Sequence, residues 1–144
     1  MKHLWLYAVL ISCSFIVGCS RTSDILPSPF CDLNSQLPEC TYALSGSTVT
    51  LHASDVTMPE EQPIVIQIKS EQLVGVKNAY LEGINMYMGK VPVMFSQSSP
   101  DTLEAHLRLG ACAEPQMQWE LNIEFDNPEL STLQVEFSAR ARSN

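Results

Sequence analysis

The sequence predicts an all-β protein: an immunoglobulin-like β-sandwich of about seven strands, preceded by a lipoprotein signal peptide and a flexible tether. Three observations lead there. From Tyr42 onward apolar residues recur at every second position, the period of a strand with one buried face. Clusters of Gly, Pro, Ser, Asp and Asn separate these runs. The first 41 residues lack the alternation and carry instead one short apolar run and a proline-containing stretch.

The N-terminal segment reads as an export signal. Lys2 and His3 precede an apolar run from Leu4 to Val17, the charged and apolar regions of a secretory signal. A membrane-spanning helix needs about 20 apolar residues, and this run is shorter. The stretch Ile16-Val17-Gly18-Cys19 resembles a bacterial lipobox. The resemblance implies that residues 1–18 are removed, that the Cys19 thiol receives diacylglycerol and that the new amino group is acylated. The mature protein would then hang from a membrane and face the periplasm. Two or more acyl chains, at about 0.8 kcal/mol per buried CH₂, make a stable anchor where one is marginal. Ser20, where an Asp would signal retention, favours the outer membrane over the inner one by similarity to Gram-negative sorting rules.

Residues 19–41 read as the lipidated Cys and its tether, with Pro27, Pro29 and Pro38 and no apolar period. Fully extended at about 3.3 Å per residue, such a segment reaches about 70 Å. The folded domain is expected over 42–144, one domain of ordinary size. Within it Val49 and Leu51 form the first alternating pair, followed by Ile64, Ile66 and Ile68, then Ala79 and Leu81. Val91, Val93 and Phe95 form another set, as do Leu103, Ala105, Leu107 and Leu109. Met117, Trp119, Leu121, Ile123 and Phe125 make the longest run, and Leu133, Val135 and Phe137 the last. Turn signals stand between them at Ser45-Gly46-Ser47, Pro59-Glu60-Glu61, Ser98-Ser99-Pro100-Asp101 and Asp126-Asn127-Pro128. The number and spacing of runs match an immunoglobulin-like sandwich, without the antibody disulfide spacing.

Charge and cysteine usage narrow the functions. The net charge is −8, and loss of the signal removes Lys2 but no acid. So acidic a domain is not a nucleic-acid binder, because phosphate contacts need Lys and Arg. Anionic headgroups would also repel it, so the tether is expected to hold it at the membrane. Of five cysteines, Cys13 leaves with the signal and Cys19 is lipidated. Cys31, Cys40 and Cys112 remain, enough for one intramolecular bridge in an oxidising periplasm. Cys31 with Cys40 closes the shortest loop. A bridge from Cys112 to either of them is equally compatible with the sequence and would pin the N-terminal segment to the domain.

Catalysis finds no footing. His52 and His106 each lie on the polar side of an expected strand, and the Glu60-Glu61 pair reads as a polar turn. Nucleophile-elbow, zinc-protease, phosphate-loop, dinucleotide and Cys-x-x-Cys patterns are absent. The chain is read as a non-enzyme. Its one unusual cluster is sulfur. Gly83-Ile84-Asn85-Met86-Tyr87-Met88-Gly89 sets two methionines two apart between glycines, and Cys112 and Met117 follow in the next loop region. Thioethers and thiolates are soft ligands that select Cu(I), and a thioether needs no deprotonation. Met117 shares the register of Trp119 and Leu121 and is expected in the core, where methionine is a common gap-filler.

The segments Asn85-Met86-Tyr87-Met88-Gly89, Val91-Pro92-Val93-Met94-Phe95, Leu109-Gly110-Ala111-Cys112 and Met117-Gln118-Trp119 resemble part of a group of small proteobacterial lipoproteins. More distantly, they are similar to FixH-like and YtkA-like periplasmic domains, sandwiches with a Met-Gly turn between strands and a closing strand carrying Trp. The likeness spans roughly residues 45–137. It implies copper handling and respiratory oxidase assembly, with Met86, Met88 and Cys112 as Cu(I) ligands and an oxidase assembly factor or other envelope protein as partner. The chain departs from a typical copper chaperone in having no His near the Met pair in sequence. A second expectation is a metal-independent interaction module that uses sheet edges or the Met-Tyr-Met loop as an apolar patch.

Overall fold

A computed structural model describes residues 39–140 except 73, 115 and 131. The signal segment 1–18, the lipidation position Cys19, Cys31 and residues 20–38 of the expected tether lie outside the described residues. The described residues form nine strands and no helix: β1 Glu39–Leu44, β2 Ser47–Ala53, β3 Pro63–Ser70, β4 Val76–Gly83, β5 Lys90–Pro92, β6 Phe95–Ser99, β7 Thr102–Arg108, β8 Gln118–Phe125 and β9 Leu133–Ser138. They make two antiparallel sheets, one ordered β1-β2-β3-β7-β6 and the other β5-β4-β8-β9. Set face to face, β2-β3-β7-β6 and β5-β4-β8-β9 give the strand arrangement of an immunoglobulin-like Greek key.

The core follows from the alternation. Val49 and Leu51 of β2, Ile64 and Ile66 of β3, Leu81 of β4, Leu121 and Ile123 of β8 and Val135 of β9 are all fully buried. Met117 and Trp119 join them, as their shared register with Leu121 predicts. Polar neighbours on the outer face of the four-stranded sheet knit to one another. Gln134 donates to Asn122 Oδ1 at 3.0 Å, and Asn122 donates to Glu120 Oε1 at 2.7 Å.

Three expectations need correction. Among the described residues the strands number nine, where about seven were expected. The first strand described starts at Glu39, three residues ahead of Tyr42, with half-buried Cys40 in register with buried Tyr42 and Leu44. This first strand pairs with β2 through a two-residue turn, Ser45-Gly46, with φ of 44° and 86°. Such turns have a twist that matches the strands on either side. Third, Val91, Val93 and Phe95 do not share one strand. The chain leaves the four-stranded sheet after Pro92 and joins the other sheet at Phe95.

One end of the sandwich is closed by the β2–β3 connection. Met58 is fully buried with φ of 44°, and Pro59 and Glu60 form parallel bridges to Arg140 and Leu109. The Glu60 amide donates to Arg140 O at 3.0 Å, and the Glu61 amide to Leu109 O at 2.9 Å. This segment therefore ties the extension of β9 to the extension of β7, one from each sheet. It also corrects the reading of Glu60 as a turn residue in solvent. Glu60 is 5% exposed, and its Oε1 has no hydrogen-bond partner among the described residues.

Candidate functional site

Strand direction gathers the sulfur residues at that same closed end. Gly83, the last residue of β4, pairs with Trp119 near the start of β8, and Gln118 pairs with Ser138 at the end of β9. Pro63 pairs with Arg108 at the end of β7, and Glu39 pairs with His52 near the end of β2. The loop 84–89, the segment 109–117 and the start of β1 thus share one end.

The loop 84–89 is held by its own residues. The Ile84 amide donates to Gln118 O at 2.9 Å. Asn85 then clamps the neighbouring connection from its side chain: Nδ2 donates to Gln116 O at 2.9 Å, and Oδ1 accepts from the Gln118 amide at 3.0 Å. Gly83 is what lets the loop fold so close. A Cβ there would collide with the Met86 carbonyl oxygen and the Met117 methyl. The loop ends at Gly89, whose φ of 74° suits glycine.

These constraints place the expected ligands. Met86 and Met88 are half-buried and pack against the core edge, as does Cys112. The Met88 methyl reaches the adjacent connection, 3.9 Å from where a Cβ on Gly110 would stand, two residues before Cys112. The Met86 backbone stands against Gly83. Cys112 is a free thiol, with Glu114 O 3.9 Å from its Sγ. Cys40 is disulfide-bonded, so its partner is not Cys112. The expected Cys31–Cys40 pairing falls, on its Cys31 side, outside the described residues.

The two histidines of the described residues belong to the five-stranded sheet, on β2 and β7. His106 is exposed, with Glu104 3.0 Å away, and His52 points outward from the same five-stranded sheet. Among the described residues no group of three or more His, Cys, Asp or Glu side chains converges. A shallow groove of about 210 Å³ at the opposite end is lined by Thr48, Thr50, Lys69, Ser70, Glu71 and Asp101. Its Asp101 carboxylate is held by the hydroxyls of Ser99 and Thr102, which keep it below the ordinary aspartate value.

The sequence places an apolar patch on the Met-Tyr-Met loop but does not extend it to Val91 and Met94. The exposed large hydrophobic residues among those described are Ile84, Tyr87, Val91 and Met94, and all four fall between positions 84 and 94. Tyr87 is 84% exposed and Met94 80%. The available signal was Pro92: a proline inside an apolar run marks an edge strand, whose side chains are not covered on one flank. Next to them Lys90 stands 4.0 Å from the Tyr80 ring centre and 3.6 Å from Glu82. Its hydrogen bond to Tyr80, and then the Glu82 charge, hold its ammonium above the ordinary lysine value.

No family model matches the chain. No curated protein matches it. Among solved structures the chain is similar to a DUF4785 family protein from Legionella pneumophila, at 8% identity and a TM-score of 0.45. The likeness covers 66% of this chain and 28% of that one.

Proposed function

We propose that the protein is a membrane-anchored periplasmic accessory lipoprotein that binds or relays Cu(I), for respiratory oxidase assembly or copper homeostasis. Copper is its cargo, and it performs no catalysis of its own. Cys19 carries the lipid, with the outer membrane favoured over the inner one. The observation that carries the reading is the packing of the Met88 methyl against Gly110, beside a Cys112 that is free to ligate. Two neutral thioethers and one thiolate make a soft donor set suited to Cu(I). Half-burial would keep such an ion from bulk water while leaving one side open for transfer.

Copper titration of the reduced protein tests this, with Met86→Leu/Met88→Leu and Cys112→Ser as controls. Leucine keeps the volume and apolarity of methionine and removes only the sulfur. Binding that weakens in both variants is the expected result. Equal, weak binding by the parent and the double variant ends the copper reading.

A second reading is favoured by the exposure of Tyr87 and Met94. Here the domain is a metal-independent interaction module of the cell envelope, and its loop meets a protein partner. It predicts recovery of a stable partner from detergent-solubilised membranes in the presence of a copper chelator.

A further inference from the structure

We infer that the strip formed by Ile84, Tyr87, Val91 and Met94 rests on the lipid surface to which the chain is anchored, so that the methionine loop faces the bilayer. The inference builds on the reading of Cys19 as a lipidated anchor.

Three observations carry it. The first is concentration: every exposed large hydrophobic residue described lies within one short stretch of chain, the β4–β5 loop, β5 and the β5–β6 connection. Exposed apolar side chains concentrated in one stretch, unlike ones scattered singly, mark a contact surface. The second is polarity of entry. The first described strand starts at Glu39, whose pairing with His52 puts it at the same end as loop 84–89. The chain from the membrane therefore arrives at the end that carries Tyr87. A tether of this length holds the loop at about millimolar effective concentration near the surface, so a weak docking contact is enough.

The third observation is chemical. Tyrosine sits well at a membrane interface, with its ring in the apolar zone and its hydroxyl in water. A protein partner adding a strand here is disfavoured, because β5 has three residues and ends in Pro92, which has no N–H to offer. The surrounding domain is acidic, with a chain net charge of −8, so contact through apolar and aromatic groups does not depend on anionic headgroups. Docking should therefore resist added salt, unlike attraction between charges.

The test uses the mature lipidated chain in phosphatidylethanolamine–phosphatidylcholine vesicles, with plain or brominated acyl chains. Tyr87→Trp and Met94→Trp supply fluorescent reporters at exposed positions, and Trp119 in the parent is a buried reference. The expected result is a blue-shifted emission at 87, quenched about two-fold by brominated lipid and unchanged in high salt, with a similar response at 94. Trp119 should not respond. Lipid on Cys19, shown by intact mass, with no quenching at 87 or 94 overturns the inference and leaves the anchor standing. Protection of residue 87 in native membranes but not in vesicles also overturns it and assigns the strip to a protein. A mature chain without lipid on Cys19 overturns both the anchor and the docking.

Discussion

Asn85 and Gln118 are joined as if both were strand residues, although only Gln118 is one. The Gln118 amide donates to Asn85 Oδ1 at 3.0 Å, and the Gln118 carbonyl accepts from the amide of Ile84 at 2.9 Å. The side chain of Asn85 thus stands in for a backbone carbonyl and extends the β4–β8 ladder by one step. Asn85→Ala removes this bond and the one to Gln116 O. Each is worth about 1 kcal/mol net, so denaturant unfolding should show a loss of about 1–2 kcal/mol. Amide exchange over 84–89 should rise more than in the core strands.

Gly83 and Gly110 make a contrast. A Cβ at Gly83 would strike the Met86 carbonyl oxygen, a backbone atom that cannot swing aside, whereas at Gly110 it would meet the Met88 methyl at an ordinary 3.9 Å. Gly83→Ala should cost about 1–3 kcal/mol and displace the loop. Gly110→Ala should stay within about 0.5 kcal/mol of the parent. Thermal unfolding of the two variants side by side checks the difference.

Glu60 is buried, and its Oε1 lacks a partner among the described residues. Removing an unsatisfied buried polar group while keeping its volume relieves a cost of about 1–3 kcal/mol. Glu60→Leu should therefore unfold at higher urea than the parent. A loss of stability instead would refute the cost assigned to the buried carboxylate.

Asp55 makes the stability depend on acid. Its Oδ1 accepts from the Thr57 hydroxyl at 2.7 Å and the Thr57 amide at 2.8 Å, and Arg140 adds a favourable charge. These hold its pKa below the ordinary 3.8. A carboxylate depressed in the folded state adds stability that is full above the unfolded value and fades as pH falls through the folded one. Asp55→Asn should flatten part of the decline in stability below about pH 4, with a small effect because the group is largely exposed. Unfolding curves at stepped acid pH decide it.

Much of the sandwich was legible because burial on one face stamps a period of two on the chain. Ile64, Ile66 and Ile68 announce β3, and the run from Met117 to Phe125 announces β8 and its core register. What stayed hidden lacks that stamp. In β1, Glu39, Thr41 and Ala43 face solvent beside a disulfide-bonded Cys40, and Pro38 just before them reads as linker. Around Val93 the apolar alternation of the sequence runs unbroken while the backbone passes from β5 in one sheet to β6 in the other. Local patterning carries no record of which sheet supplies the hydrogen bonds. The Met88–Gly110 contact was invisible for a related reason. It joins two connections that touch only after β4 and β8 have paired.

The hairpin of β1 and β2 sets a parity. Each strand added ahead of an immunoglobulin-like sandwich reverses the pole from which the preceding chain departs. With β1 present, the chain departs from the pole of loop 84–89; with β2 as the first strand it would depart from the pole of the Pro100-Asp101 turn. A single six-residue strand, with no contribution of its own to the loop, thus decides whether Tyr87 is presented toward whatever lies upstream or away from it.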